Sequence, residues 1–107
     1  MSEIDSVLRY SELLTIYQNL LSKTQKEILE DYYFYNLSFS EIAENRNISR
    51  SAVEDAVKKG KKKLDYFENE LCSLKTLQII HDTHSLTDDE RVLDKLNEAE
   101  RTIKHGI

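Results

Sequence analysis

The sequence predicts an all-α fold, and three of its features carry that prediction. The chain has no proline and only two glycines in 107 residues, so it lacks the turn chemistry that a sheet protein needs at every strand reversal. Charged residues make up 33% of it, interspersed with apolar ones in the mixture that suits amphipathic helices. Apolar side chains recur at helical spacing along nearly the whole length, while the longest uninterrupted apolar runs are two to four residues, too short to insert into a membrane. At this length a single helical domain over residues 1–107 is expected, large enough for one modest core.

The first helix is expected over about residues 5–21, where Val7, Leu8, Leu13, Leu14, Ile16, Tyr17, Leu20 and Leu21 form an apolar face broad enough to be gripped from more than one side. Ser22 with Gln25 has capping-box spacing and opens a second helix that runs to about residue 35, with Ile28, Leu29, Tyr32 and Tyr33 as its buried positions. The aromatic run Tyr32, Tyr33, Phe34 and Tyr35 covers all sides of a helix, so it cannot be buried as a whole. Tyr32 and Tyr33 go to the core. Phe34, Tyr35 and the nearby Phe39 are left as candidate contact residues for a stacking ligand.

Residues 38–60 fit a helix-turn-helix. Ser38 caps the first helix and Glu41, three residues on, reaches back as its capping-box partner. Ile42 and Ala43 face inward, and Ala43 is small enough for two helices to cross closely. Asn47 stands where the turn requires a left-handed backbone, which Asn tolerates better than other non-glycine residues. Ile48 is expected to plug the corner, and Ser49 to cap the second helix, whose inward face is Val53, Ala56 and Val57. The exposed start of that helix is Arg50, Ser51, Glu54, Asp55 and Lys58.

The run from Ser40 to Glu44, followed after the turn by Ile48 to Val53, resembles the helix-turn-helix of region 4 of bacterial sigma factors, a module without a wing. More of the chain resembles the small YlxM-type family, which shares that module, a preceding helix with the pattern Leu29, Tyr32, Tyr33, and about this length. The resemblance is specific over roughly residues 13–70. It implies a regulatory or accessory role in the signal recognition particle pathway, because such proteins are encoded beside genes of that particle. Nucleic acid, whether DNA or the particle's RNA, and the particle's components are the partners it implies. Two positions depart from the family pattern: Asn47 replaces the usual glycine, and acidic Glu54 replaces an uncharged residue on the reading face.

No proline or strong stop interrupts the helix from Ser49 until about His81, so a long recognition helix is expected. Within it Val53, Val57, Gly60, Leu64, Phe67, Leu71 and Leu74 alternate at spacings of four and three, a heptad seam that needs a cover. Either the first helix or a second copy of the chain supplies it, the latter giving a homodimer. Gly60 costs about 1 kcal/mol relative to Ala in a helix interior, so it marks a close helix approach or a bend. Residues 82–107 are read as an additional C-terminal helix, capping or dimerising, opened by a Thr87–Glu90 capping box and carrying the stripe Val92, Leu93, Leu96, Ala99 and Ile103.

Fifteen basic and twenty acidic residues give a net charge of −5, which opposes strong non-specific binding to nucleic acid. The distribution points the other way. Between Leu37 and Leu64 seven basic side chains (Arg46, Arg50, Lys58, Lys59, Lys61, Lys62, Lys63) face four acidic ones (Glu41, Glu44, Glu54, Asp55), a local +3 that leaves −8 elsewhere. The nucleic-acid-binding set read from the sequence is therefore Ser49, Arg50, Ser51, Glu54, Asp55, Lys58, Lys61 and Lys62, for DNA or RNA alike. The plainer alternative is a solvated helix decorated by i, i+4 pairs, Glu54 with Lys58 and Asp55 with Lys59.

Catalysis finds no constellation. There is no glycine-rich phosphate loop and no nucleophile grouping. Cys72 with His81, Asp82 and His84 lacks the spacing of a metal site, and residues 81–87 read as a polar connection. No cofactor or metal is expected. The lone cysteine cannot form an internal disulfide, and without a signal segment the chain is expected in the cytoplasm, as a protein adaptor if the helix-turn-helix serves only as a scaffold.

Overall fold

The computed structural model describes residues 3–106, and among these every regular element is a helix. Helix α1 spans Glu3–Tyr17 and closes in a 3-10 turn at Gln18–Leu20; α2 is Lys23–Tyr33, α3 Phe39–Arg46, α4 Arg50–Leu71, α5 Ser73–His84 and α6 Glu90–His105. The all-α class and the helix-turn-helix, formed by α3 and α4, are as the sequence predicts.

Helix α4 is the axle. Its Val53, Val57 and Leu64 are buried against Leu13, Leu14 and Tyr17 of α1, Ile28, Leu29 and Tyr33 of α2, and Ile42 and Ala43 of α3. The seam expected to need a cover is thus covered within one chain from Val53 to Leu64, by α1, α2 and α3 together. Gly60 marks a close approach: a Cβ built there would lie 2.6 Å from Leu29 Cδ1.

Several expectations fail at element ends, each for a local reason. Helix α1 stops four residues early, and Val7, Leu8 and Leu20 are exposed, so its buried face is narrower than the apolar count implied. The helix from Ser49 does not reach His81 but breaks at Cys72, whose φ is 53°, in the left-handed region. Sequence offers no glycine there to announce the break. The capping comes from elsewhere: Glu68 Oε1 accepts from the N–H of Leu74 (3.1 Å), Glu68 Oε2 from that of Lys75 (3.1 Å), and the Ser73 N–H donates to Tyr17 Oη (3.1 Å). Tyr17 in turn donates its hydroxyl to Glu68 Oε1 at 2.6 Å. One carboxylate and one phenol therefore satisfy the first three orphan donors of α5 and fix its angle to α4.

Beyond that joint, α5 and α6 form a hairpin that gives the molecule its 54 Å long axis against 27 and 22 Å across. Leu74 and Ile80 of α5 are buried, whereas no residue of α6 is. Its stripe of Leu93, Leu96, Ala99 and Ile103 is only half covered, and Val92 is exposed. Residues His81 to His84 close α5 and are not a connection. The expected Thr87–Glu90 box does not form, because Asp89 caps α6 by accepting from the Arg91 N–H (2.9 Å), while Thr87 Oγ1 accepts from the Asp89 N–H (3.1 Å). Ser22 accepts from the Gln25 N–H (3.2 Å), but Gln25 turns its own oxygen to Lys63, so that box is half made.

Candidate nucleic-acid interface

The helix-turn-helix is held by caps at both ends. The Ser38 N–H donates to Glu41 Oε1 (3.0 Å) and the Glu41 N–H to Ser38 Oγ (3.1 Å), and this reciprocal pair lowers the Glu41 carboxyl below the usual carboxylate range. Asn47 is left-handed, φ 55° and ψ 46°, and its N–H is shared between the carbonyls of Ala43 and Glu44. Ser49 Oγ accepts from the Ala52 N–H at 3.0 Å, which starts α4. Ile48 does not plug the corner: it is 39% exposed, and its backbone N–H, bonded to the Ala43 carbonyl at 3.1 Å, closes the turn instead.

Arg46, counted with the basic footprint in the sequence, has a structural task. Its Nε donates to Asp31 at 2.7 Å and its NH1 group to Glu27 at 3.1 Å, tying the end of α3 to α2 with a guanidinium that is 29% exposed. Those two carboxylates raise its already high pKa. The orientation of the whole helix-turn-helix on the body rests partly on this fork.

The other cations divide into occupied and free. Arg50 pairs with Glu54 at 3.1 Å, which corrects the expected Glu54–Lys58 pair, while Asp55 pairs with Lys59 at 3.0 Å as the i, i+4 spacing predicts. Lys63 lies on the opposite edge of α4 and donates to Gln25 at 3.0 Å. Among the described residues, Lys58, Lys61 and Lys62 have no carboxylate within ion-pair distance. Lys61 instead sits 4.9 Å from the centre of the Tyr10 ring. Ser49, Arg50, Ser51, Glu54, Asp55, Lys58 and Lys62 are all exposed on α4 and its cap, and Lys61 is half-buried at the edge of the same helix.

Sequence reasoning missed what lies beside that edge. Tyr10, Tyr32 and Phe39, from three different helices, line a hollow of about 360 Å³ with Val57 beneath and Lys58, Lys61 and Lys62 along its rim. Tyr32 stacks on Phe39 (centroids 4.9 Å apart, planes at 22°) and meets Tyr33 edge-on at 4.9 Å. Tyr10 stacks against Tyr33 at 5.8 Å and donates its hydroxyl to Asp65 at 2.8 Å. Burial and then the Asp65 carboxylate raise the Tyr10 phenol, and burial drives Tyr33 higher still. Of the aromatics picked out as contact residues, Phe39 belongs to this hollow, whereas Phe34 and Tyr35 are exposed away from it.

With this geometry in hand, comparison with known proteins is specific. Residues 4–105 match the family model described as helix-turn-helix protein, YlxM / p13 like. A UPF0122 protein of Malacoplasma penetrans is 41% identical over 100 residues, covering 94% of this chain and 92% of its own length. The YlxM protein of Bacillus subtilis is 36% identical over 75 residues, 70% of this chain and 68% of that one. A third relative, from Fusobacterium nucleatum, is 46% identical over 68 residues, 64% and 66% of the two chains.

Proposed function

We propose, for a chain that belongs to the UPF0122 family of YlxM/p13-like helix-turn-helix proteins, that it binds nucleic acid through the start and one edge of α4 and acts as a cytoplasmic regulatory or accessory protein without catalysing a reaction. One observation carries this reading. The cations of the module that sit elsewhere are tied to the protein itself, Arg46 to α2, Lys59 to Asp55 and Lys63 to Gln25, while among the described residues Lys58, Lys61 and Lys62, around one hollow, form no ion pair. Unpaired cations further along the helix whose exposed start is Arg50 are what phosphate neutralisation requires.

The roles divide by position. Lys58 and Lys62 neutralise backbone phosphates, Ser51 and the hydroxyl hydrogen of Ser49 donate to phosphate or base edges, and Arg50 exchanges Glu54 for the nucleic acid. Glu54 is then a brake. It occupies Arg50 in the free protein and repels phosphate until a ligand offers Arg50 a better partner. Asp55 does the same to Lys59.

Direct titration tests this. Fluorescence anisotropy with a duplex DNA and a duplex RNA, over about 50 to 200 mM salt, should give a log–log slope of roughly −4 to −5 on DNA for four to six phosphate contacts. The Lys58→Ala/Lys62→Ala variant should flatten it by roughly 2. Binding that ignores salt, or is untouched in the variant, would leave the helix-turn-helix as a scaffold and the protein as an adaptor. The family resemblance makes the RNA and protein components of the signal recognition particle the first partners to try.

A second feature favours a homodimer. The stripe of Leu93, Leu96, Ala99 and Ile103 on α6 is only half covered by α5, and a second copy of the hairpin would bury the rest. Sedimentation equilibrium of the chain and of Leu96→Lys checks it: a dimer that Leu96→Lys dissociates is expected, and a monomer in both would refute it.

A further inference from the structure

The hollow beside α4 has features that reading a continuous duplex does not use. We infer that it receives an unpaired nucleotide of the bound nucleic acid, with the base against Tyr10, Tyr32 and Phe39 and its phosphates on Lys58 and Lys62; this rests on the nucleic-acid reading above and adds the kind of substrate.

Three observations combine. The three rings come from α1, α2 and α3 and converge in one recess of about 360 Å³, the size of a small-molecule site. The carboxylates at its edge are already engaged: Glu54 holds Arg50 at 3.1 Å, while Asp65 accepts from the Tyr10 hydroxyl at 2.8 Å and lies 3.7 Å from Arg9. The lysines on the rim form no ion pair among the described residues, and Lys61 alone is engaged, over the Tyr10 ring. The recess is therefore electropositive over an aromatic wall, the combination that binds single-stranded nucleotides by stacking and charge together.

Lys61 decides whether a base can enter. In the free protein its ammonium lies over the Tyr10 ring, 4.9 Å from its centre, and the same ring stacks against Tyr33 at 5.8 Å. A cation–π contact at such a half-buried edge is no stronger than the stacking of a base on an aromatic side chain. Lys61 is a flexible lid. A base displaces the ammonium from the ring, and the freed charge turns to the phosphate of the same nucleotide. The two changes are coupled, so a lone anion or an uncharged aromatic compound gains only half of the exchange.

This predicts discrimination between nucleic acids that differ by one residue. A duplex with all bases paired buries its bases in its own stack and presents only phosphate to the rim. A duplex carrying a single bulged nucleotide offers both groups. RNA supplies such nucleotides in loops and bulges as a matter of course, and DNA supplies them at mismatches, so both are tested.

The experiment uses the full chain with a 20-base-pair duplex, paired throughout or with one bulged uridine, made as RNA and as DNA. The bulged RNA should bind about tenfold more tightly than the paired RNA. A preference seen equally with bulged DNA assigns the site to unpaired nucleotides in general; one confined to RNA assigns it to RNA. Tyr10→Leu and Phe39→Leu should each abolish the preference while leaving affinity for the paired duplex within about twofold, a control for folding built into the same titration. A second readout needs no variant: 5-iodouridine at the bulge, irradiated in the complex, should attach to a peptide containing Tyr10, Tyr32 or Phe39. Equal affinity for paired and bulged probes, or crosslinks confined to other peptides, would overturn the inference while leaving duplex binding intact. Absence of binding to every probe would overturn the nucleic-acid reading itself.

Discussion

Replacing Gly60 with alanine sets two physical effects of known size against each other. Within a helix interior the substitution is worth about 1 kcal/mol in favour of alanine. Against it stands Leu29: the new Cβ would lie 2.6 Å from Cδ1 and 3.0 Å from both Cδ2 and Cγ, and Leu29 is 0% exposed. Rotation about the outer torsion cannot relieve a contact that includes Cγ, so the whole side chain or the α2–α4 spacing must shift. Overpacking of this kind costs about 1–3 kcal/mol, and the expected net is a loss of about 1 kcal/mol. Urea unfolding followed by circular dichroism measures it, with a fall in Tm of about 4–8 °C as the thermal counterpart. The diagnostic is the second background. In Leu29→Ala, itself costing about 2–5 kcal/mol, the methyl of Gly60→Ala meets space, and the substitution becomes stabilising by about 1 kcal/mol. The sign reversal corresponds to a coupling of about 2 kcal/mol between the two positions. If Gly60→Ala stabilises the otherwise unchanged chain, the close approach of α2 and α4 is not what selects glycine there.

Other perturbations test the joints and the charges. Tyr17→Phe removes the acceptor of the buried Ser73 N–H and a donor to Glu68, and should cost about 1–3 kcal/mol, with amide exchange rising first at Ser73, Leu74 and Lys75. Cys72→Gly relieves a left-handed non-glycine residue with an exposed side chain and should raise the urea midpoint, by about 0.5–1 kcal/mol in stability; a lower midpoint would contradict the strain. Arg46→Ala should destabilise by about 1–3 kcal/mol and loosen α3 against α2, which weakens ligand binding without removing any cation from the proposed rim. Tyr10, Tyr17 and Tyr33 all have phenol pKa values raised in the folded protein, so their contribution to stability is complete below the ordinary tyrosine value near 10 and is lost as the pH climbs through the raised values. Absorbance at about 295 nm should therefore show these phenols ionising together with unfolding.

What the sequence revealed and what it hid separate by range. The helix-turn-helix was legible because each of its determinants is local: Ser38 and Glu41 are three residues apart, Asn47 sits in the turn it makes, and Ser49 caps three residues ahead. Gly60 was legible as a close approach or a bend, but neither the choice between them nor the partner was, since nothing in the spacing of α4 points to Leu29. The break at Cys72 was invisible for the same reason. Its capping groups are Glu68, which looks like one more surface carboxylate, and Tyr17, 56 residues from the Ser73 amide it receives. Arg46 was misassigned because a charge count cannot tell a cation on solvent from one held by Asp31 and Glu27. The aromatic hollow needs Tyr10, Tyr32 and Phe39 from three helices at once. The only hint of it in the sequence was Phe39 among the candidate contact residues.

The charge distribution bears on how the protein would choose a ligand. A body of net charge −5 with a local excess of three positive charges gains little from phosphate alone, and the carboxylates of Glu54 and Asp55 reduce that gain further by holding Arg50 and Lys59. If the protein binds nucleic acid as proposed, its affinity for an arbitrary duplex is low. Contacts that do not depend on phosphate then weigh more in the choice among ligands, which is where stacking in the hollow and donors at the start of α4 act. The test is Glu54→Gln with Asp55→Asn. It removes two negative charges and the competition for two cations, so binding to random duplex should strengthen by about tenfold at 100 mM salt, with the salt slope little changed because Arg50 and Lys59 meet phosphate in the complex either way. A bulged probe should keep its advantage over a paired one, because the rings that supply it are unchanged and removing the Glu54 carboxylate from the edge of the hollow does not oppose the extra phosphate. If the advantage collapsed instead, the discrimination would reside in the carboxylates and not in the rings.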